Sequence, residues 1–368
     1  MIRHALHKIH LWLGIALCVP LVLQGLTGSM LVFERSIYKP SLTLANGTPH
    51  SVGEIIEAAR AAVPEEFEPA MFRSGSTNEY ASVFFSKQSH KKTSDGRQGK
   101  RVRIQVDPVS LQIIHEEDSG FMHAVEDWHT NLMLREYGGR SIVGWFGVAM
   151  LVFGISGIVL WWPRHGQWKR AFTVRLGVPG FLLHRDLHGA AGIWSVLMLI
   201  TVSFSGVYLA FPKTMDAMIG SVAVLRDFKA PPAQKLEPLE DQEPMNVDEV
   251  AALAIQSVPE SRLVSINLPG RLNQPYRVGL LKAGARAGEP VITVFIDPWQ
   301  KRVMEIRNPQ EYTIAEQFVV WQHAIHTSEG FGVLWRTLVF LTGFMPLLFA
   351  ITGVSMWLIK GRRKAGRV

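Results

Sequence analysis

The sequence predicts a membrane protein with four transmembrane helices in two pseudo-repeats, each repeat enclosing a small polar α+β domain. Three observations lead to this prediction: long apolar segments, polar regions between them, and motifs that recur in both halves. About 20 consecutive apolar residues are needed to cross a hydrocarbon core roughly 30 Å thick. The segments that reach this length are 11–33, 141–162, 190–211 and 334–359.

The basic residues flank these spans on one side and argue against nucleic-acid binding. The net charge is +7, and the basic residues cluster before the first span, between the second and third, and after the fourth. Loops rich in Lys and Arg lie on the cytoplasmic side of a membrane. We therefore expect both termini in the cytoplasm, both polar regions on the opposite side, and the lipid bilayer rather than a nucleic acid as a partner.

The pattern divides the chain into alternating membrane and polar segments. The first apolar segment is long for a signal peptide and is followed by no clear cleavage site, so we expect it to remain as a span. We expect transmembrane helix 1 in 1–37, a polar domain in 38–127, a His-bearing segment with helix 2 in 128–163, a cytoplasmic loop in 164–183, helix 3 in 184–212, a second polar domain with its linker in 213–320, a His-bearing segment with helix 4 in 321–360, and a basic tail in 361–368.

Both polar regions carry the same series of predicted elements. Each has a segment with apolar residues at helical spacing that stops at a proline. Alternating strand-like segments follow, and one in each region ends in Asp-Pro. The predicted helices are 52–63 and 247–258, the predicted strands 80–85, 102–108 and 294–298, and the predicted exposed loop and linker 87–100 and 230–244.

The spans repeat as well. In the first and third spans a histidine is followed one helical turn later by a glycine, and after eighteen residues by the glycine of a hydroxyl-glycine pair. In the second and fourth spans an arginine is followed after seventeen residues by the glycine of another such pair. The matched residues are His10, Gly14, Thr27 and Gly28 with His188, Gly192, Ser205 and Gly206, and Arg140, Ser156 and Gly157 with Arg336, Thr352 and Gly353. The glycines serve either close helix contacts or clearance for a flat ligand.

Four histidines at matched positions are the candidate functional residues. His10 and His188 belong to the cytoplasmic end of the spans, and His129 and His326 to the opposite end. Histidine is a common axial ligand of haem iron, and imidazoles from two helices can hold one porphyrin between them. The repeat therefore predicts two haem sites, one held by His10 and His188 and the other by His129 and His326.

Other residues near these histidines leave alternatives open. Alternative or supporting ligands are His7 and His184 at one end and His123 and His323 at the other. Arg140 and Arg336 serve either as headgroup anchors or as partners of haem propionates, because a guanidinium binds a carboxylate bidentately. A zinc or copper site would need three or four converging ligands, whereas the spacing offers paired imidazoles and the only cysteine, Cys18, lies within a span.

Together these motifs resemble a known family. The helix-proline-strand-Asp-Pro regions resemble PepSY domains, and the His-bearing spans resemble the PepSY-associated transmembrane family over nearly the whole chain. Within that family the chain is most similar to ferric-siderophore reductases of the Gram-negative inner membrane. The resemblance implies two haem b groups, periplasmic polar domains, and single-electron reduction of a ferric siderophore for iron acquisition.

The sequence leaves the electron donor and two other functions open. It has no Gly-rich dinucleotide motif, so electrons would come from a cytoplasmic reductase, a quinone or a soluble reductant. One alternative is a non-redox protein that regulates a periplasmic protease, which would leave the repeated histidines without a role. The other is a siderophore permease, for which four uninterrupted spans without a mid-membrane charge give little basis.

Overall fold

The computed structural model describes residues 2–33, 45–75, 80–87, 101–114, 119–226, 231–232, 236–238, 242–271, 273–286 and 288–365. The chain forms two compact units. One, the membrane unit, comprises Met1–Lys39, Gly120–Met218 and Gln322–Val368, and the other, the sheet unit, comprises Pro40–Ser119 and Ile219–Trp321. The predicted loop 87–100, apart from Lys87, and much of the predicted linker 230–244 lie outside the described residues, as do His90 and His115.

Helices account for the membrane unit. They are α1 (Ile2–Val32), α3 (Ser119–Asn131), α4 (Gly139–Trp161), α5 (Trp168–Ala171), α6 (Gly180–Ala210), α7 (Pro212–Gly220), α9 (Ile314–Thr327), α10 (Gly332–Thr342) and α11 (Met345–Ala365), with α3, α7 and α9 crossing the boundary between the units. The four candidate spans are α1, α4, α6 and the α10-α11 segment, each long and apolar enough to cross a membrane. The prediction of a four-span membrane protein is confirmed.

The fourth span is interrupted, so the expectation of four uninterrupted spans is wrong there. Helix α10 ends at Thr342, a turn covers Gly343 and Phe344, and α11 begins at Met345. Pro346 supplies the physical reason: it has no backbone N–H, and its ring crowds the carbonyl four residues earlier, which belongs to Thr342.

Glycines allow close packing between spans. A Cβ on Gly144 would lie 2.3 Å from Phe211 Cε2, one on Gly147 would lie 2.8 Å from Val207 Cγ2, and one on Gly154 would lie 3.0 Å from Ile200 Cγ1. Because two of these contacts join α4 to α6 and the third joins α4 to Phe211, which directly follows α6, these glycines serve close helix contact rather than clearance for a ligand.

The sheet unit contains one eight-stranded antiparallel sheet. Its strands are β1 (Phe67–Arg73), β2 (Ala81–Lys87), β3 (Arg101–Val106), β4 (Ile113–Ile114), β5 (Ser261–Asn267), β6 (Tyr276–Lys282), β7 (Ile292–Asp297) and β8 (Arg302–Arg307), in the order β4-β3-β2-β1-β5-β6-β7-β8. Two helices, α2 (Val52–Arg60) and α8 (Val247–Ser257), pack on it. The two predicted polar domains therefore share one sheet and one hydrophobic core.

Local sequence explains the elements of this unit. Capping boxes formed by Ser51 with Glu54, and by Asn246 with Glu249, start α2 and α8. The Asp-Pro motifs turn the chain after β3 and β7: Asp107 Oδ1 accepts from the backbone N–H of Val109, and Asp297 Oδ1 accepts from that of Trp299. Such side-chain bonds replace ladder bonds where a strand ends.

The sequence does not predict several strands. It assigns no strand to β1, β4, β5, β6 or β8, because β4 has only two residues and the others lack clean alternation. β1 carries Pro69 and a register shift beside it, and β5 has another between Leu263 and Ser265. A shift of this kind changes which residues face the core, so it removes the period-two signal from the sequence.

Candidate functional site

The structure brings both predicted histidine pairs together. The rings of His10 on α1 and His188 on α6 have centroids 6.4 Å apart, and we call them the His10 pair. The rings of His129 on α3 and His326 on α9 have centroids 6.1 Å apart, and we call them the His129 pair. Residues more than a hundred positions apart thus meet at each end of the bundle.

Hydroxyl groups hold the imidazoles of the His10 pair. His10 Nδ1 lies 2.7 Å from Ser156 Oγ on α4, and His188 Nδ1 lies 2.8 Å from Thr352 Oγ1 on α11. Phenyl rings pack beside them, with the Phe153 centroid 5.2 Å from that of His10. Each histidine is therefore oriented by a neighbouring span.

These hydroxyls define the tautomer of the two rings. A hydroxyl has one proton, and Thr352 Oγ1 donates it to the Leu348 carbonyl at 2.7 Å, while Ser156 Oγ donates to the Phe153 carbonyl at 3.3 Å. The hydroxyl oxygens can then only accept, so Nδ1 of each imidazole donates. The proton is on Nδ1, and the lone pair of Nε2 is left available.

Backbone carbonyls face Nδ1 in the His129 pair. His129 Nδ1 lies 3.1 Å from the Gln24 carbonyl oxygen, and His326 Nδ1 lies 3.1 Å from the Val202 carbonyl oxygen. A carbonyl can only accept, so Nδ1 of His326 carries a proton, whereas Nδ1 of His129 also faces a donor, the Gln24 side-chain amide, at 3.2 Å. Thr27 and Ser205 add a hydroxyl to each Nδ1, at 3.2 and 3.1 Å. Within the described part of the chain, Nε2 of all four histidines has no hydrogen-bond partner.

Burial keeps the His129 pair neutral. Desolvation, followed by the charge of His326, lowers the pKa of His129 to about 4. Desolvation also lowers the pKa of His326 to about 4, although its bond to the Val202 carbonyl opposes the shift. Both imidazoles are therefore neutral near pH 7, and a neutral imidazole is the form that binds a metal.

Glycines make room for the imidazoles. A Cβ on Gly28 would lie 2.8 Å from His129 Cε1, and one on Gly206 would lie 3.0 Å from His326 Cε1. Gly353 faces His188 Cε1 at a looser 3.7 Å. By contrast, a Cβ on Gly14 or Gly192 would meet nothing within 4 Å. The structure thus separates the two roles that the sequence leaves open for these glycines. Gly28, Gly206 and Gly353 lie against histidine rings, whereas Gly14 and Gly192 border open space.

The separation within each pair matches two imidazoles on one metal ion. If each Nε2 were about 2.0 Å from a shared ion, the ring centres would be roughly 6.3 Å apart. The observed values are 6.4 and 6.1 Å. Among the described residues, no group of three or more His, Cys, Asp or Glu side chains converges as a metal site. The two imidazoles of each pair are thus close enough to share one metal ion, such as the iron of a haem.

Unpartnered buried atoms lie near both pairs. Such atoms are rare in folded proteins and call for a reason. In the described residues they include Gln24 Oε1, on the residue that binds His129, and His184 Nδ1, one turn before His188 on α6. Trp128 Nε1 and Ser328 Oγ, close in sequence to His129 and His326, are two more.

The four histidines predicted as alternative or supporting ligands lie outside the two pairs. His7 is exposed on α1, whereas His184 is half-buried on α6. His123 is exposed on α3 with Nδ1 3.8 Å from Glu126 Oε2. His323 is exposed on α9, near enough for its charge to act on His326. The structure brings none of these four into the ring contacts made by the two pairs.

The two arginines differ in their contacts. Arg140 donates to the Leu209 carbonyl at 2.5 Å, which satisfies an unpaired carbonyl at the end of α6. Arg336 is half-buried in α10, and no hydrogen bond or ion pair to another described residue is formed by its side chain. Arg140 thus has a structural role of its own, and the propionate role stays a prediction for both.

Sequence reasoning missed the part played by the hydroxyl residues. Thr27, Ser156, Ser205 and Thr352 recur before glycines, so the repeat marks them. Their pairing is visible only in the fold: Thr27 and Ser205 face the histidine of their own half, and Ser156 and Thr352 face the His10 pair. Recurrence of a polar residue inside an apolar span was the available signal.

The fold and the site define a multi-pass membrane protein with a paired-histidine site at each end of its helical bundle. Comparison with family models gives one match, to the PepSY-associated TM region, which covers residues 7–360. The chain belongs to this family. No curated protein matches the chain.

Proposed function

We propose that this protein is a di-haem b electron-transfer protein of the bacterial inner membrane that reduces ferric siderophores at the periplasmic face. The observation that carries the proposal is the arrangement of four imidazoles in two pairs, each oriented through Nδ1 and each with no partner at Nε2 among the described residues. Two such sites at opposite ends of a membrane bundle suit the passage of single electrons across it.

The His10 pair and the His129 pair would each hold one haem by its iron. A bound haem supplies a one-electron Fe(III)/Fe(II) couple. The protein's own contribution is to fix the rings: hydroxyls and carbonyls at Nδ1 orient each imidazole, and an acceptor at Nδ1 raises the basicity of the ring toward a metal. Gly14 and Gly192, which border open space, would leave room beside the His10 pair.

The substrate and partners follow from this role. Electrons would enter at the end with the His10 pair, from a cytoplasmic reductase, a quinone or a soluble reductant. They would leave at the end with the His129 pair, reducing Fe(III) held by a siderophore to Fe(II), one electron for each iron. Hard oxygen ligands hold Fe(II) less tightly than Fe(III), so the metal would be released for uptake. The basic residues near the termini support a cytoplasmic position for the His10 pair.

The first test is the visible spectrum of the purified protein. We expect reduced b-type haem bands in detergent-purified protein from haem-replete cells. The band intensity should fall by about half when either pair loses a histidine, in His10→Ala or His326→Ala. His50→Ala is the matched control, because His50 is exposed and paired with Glu54 in the sheet unit. Colourless wild-type protein would remove the proposal.

The second test separates haem binding from ferric reduction. Dithionite-reduced protein is mixed with a panel of ferric chelates in a stopped-flow instrument, and haem oxidation is followed. We expect oxidation faster than that of free haem with at least one chelate. Haem bands without any such oxidation would leave the cofactor assignment standing and overturn the reductase assignment.

A further inference from the structure

We infer that the sheet unit carries a docking site for an anionic, oxygen-rich metal chelate, formed where the two halves of the sheet meet. The inference rests on the proposed reduction of a ferric chelate and adds its charge class and its place. The site comprises Arg73 on β1, Ser265 and Asn267 on β5, and Arg277 on β6, and we call it the arginine platform.

Strand register puts these residues on one face. Arg73 pairs with Ser265, and Asn267 pairs with Arg277. Their neighbours Phe72, Ile266 and Val278 are buried in the core against α2 and α8. Because successive side chains of a strand point to opposite faces, the platform residues point away from those helices.

The platform residues are polar and lie beside a buried part of the same face, which contains Phe295 and Thr293 opposite Arg277 and Gly279. Arg73 and Arg277 are exposed, and Ser265 and Asn267 are half-buried. A Cβ on Gly279, opposite Ser265, would lie 2.7 Å from its hydroxyl, so glycine leaves that hydroxyl room. With β5 between their strands, the two arginines are anchored about 10 Å apart across the sheet and about 7 Å apart along it. Two long cationic side chains can reach toward a ligand that lies over Ser265 and Asn267.

Arg277 has no acidic partner within the described residues. It forms no hydrogen bond or ion pair with its side chain there, and its neighbour is another cation, Arg307. Although the residue is exposed, partial desolvation of its guanidinium and the charge of Arg307 lower the pKa of Arg277, and Tyr312 opposes the shift. Arg307 itself is paired bidentately with Glu305, at 2.7 and 2.8 Å. Arg277 is therefore available to form an ion pair with an anion bound at the platform.

An aromatic ring restrains the Arg73 side chain at the other side of the platform. The Arg73 guanidinium lies 5.9 Å from the centroid of Phe84, which limits its freedom. Guanidinium groups bind carboxylate-type oxygens in planar, bidentate fashion. Two of them beside a hydroxyl and an amide match a chelate whose outer surface is made of carboxylate or catecholate oxygens, rather than a neutral hydroxamate.

The test uses gallium, which has the charge and size of Fe(III) but is not reduced. Equilibrium dialysis of full-length, detergent-solubilised protein measures binding of gallium citrate and of neutral gallium tris-acetohydroxamate. We expect the citrate complex to bind more tightly, with affinity falling at 0.5 M salt by screening. Arg277→Gln and Arg73→Gln should each weaken it about tenfold. Arg302→Gln, on the exposed edge strand, should stay within about twofold.

Three outcomes would overturn the inference. They are equal binding of the neutral complex, equal loss in the Arg302 variant, and metal-free citrate binding as tightly as the gallium complex. Loss of folding in one platform variant leaves the other variant to decide. Gallium binding needs neither haem nor electron transfer. A finding that the protein contains no haem would therefore contradict the proposed function but would leave the gallium-binding result valid.

Discussion

At the scale of single residues, four hydroxyl side chains set the chemistry of four histidines. Each hydroxyl donates its proton within its own helix and so presents an acceptor to Nδ1. The two pairs differ in one respect: Nδ1 in the His129 pair also meets a backbone carbonyl, whereas Nδ1 in the His10 pair has only Ser156 or Thr352. The His10 pair should therefore depend more on its hydroxyls.

Removal of these hydroxyls should raise the potential of the haem proposed at the His10 pair. Loss of the acceptor makes the imidazole a weaker donor to Fe(III) in Ser156→Ala or Thr352→Val. One hydrogen bond of about 0.5–1.5 kcal/mol corresponds to a rise of roughly 20–60 mV for one electron. Spectroelectrochemical titration measures it. Ser195→Ala is the control, because its hydroxyl bonds the Ala191 carbonyl of its own helix. An equal shift in that variant would contradict the role of Ser156.

At the scale of elements, the break in the fourth span is matched by a close contact with α1. A Cβ on Gly25 would lie 2.3 Å from the Gly343 carbonyl oxygen, and Ser29 Oγ donates to the Phe340 carbonyl at 2.7 Å. Ser29 thus satisfies a carbonyl near the end of α10 that the break leaves without its usual partner. The interruption is part of a packed helix crossing, not a gap in the bundle.

Gly343→Ala should destabilise the membrane unit. Its Cβ would lie 2.0 Å from Ser29 Oγ and 2.5 Å from the Gly25 carbonyl. Since Gly343 has an ordinary helical φ of −67°, the change tests the clash and not backbone strain. We expect a loss of about 1–3 kcal/mol, as for an overpacked core, measured by thermal unfolding in detergent. Gly361→Ala meets nothing within 4 Å and should be neutral or slightly stabilising. Unchanged stability in Gly343→Ala would show that the crossing is looser than described.

At the scale of the whole molecule, the two halves of the sheet unit depend on each other. Strands β1 and β5 pair across the middle, and one core contains residues from both halves. Asp248, at the start of α8, accepts the backbone N–H of Gly53 at 2.9 Å and so caps α2 from the other half. The sheet unit should therefore unfold as one body, although the chain leaves it and returns.

Ile266→Ala tests this dependence. Ile266 is fully buried on β5, and truncation of such a side chain costs about 2–5 kcal/mol. Hydrogen exchange followed by mass spectrometry should then show faster exchange in β2 as well as in β6. Ile255→Ala on α8, where the side chain is 40% exposed, is the matched control and should change little. Faster exchange confined to β5–β8 would mean that the halves are independent domains.

Much of this organisation could be predicted from the sequence. Apolar length marks the four spans, because the thickness of a bilayer sets it directly. The helices beginning at Val52 and Val247 follow from local capping and amphipathic spacing. The candidate histidines stand out because they recur at matched positions, and recurrence needs no knowledge of the fold.

The tertiary structure alone decided the rest. The β1-β5 pairing joins segments almost two hundred residues apart, and register shifts hide it from any local period. The interruption of the fourth span and the hydroxyl that each histidine contacts likewise depend on which helix faces which. Length and polarity act along the chain and can be read there, whereas hydrogen-bond partners are set by packing between segments that only the folded chain brings together.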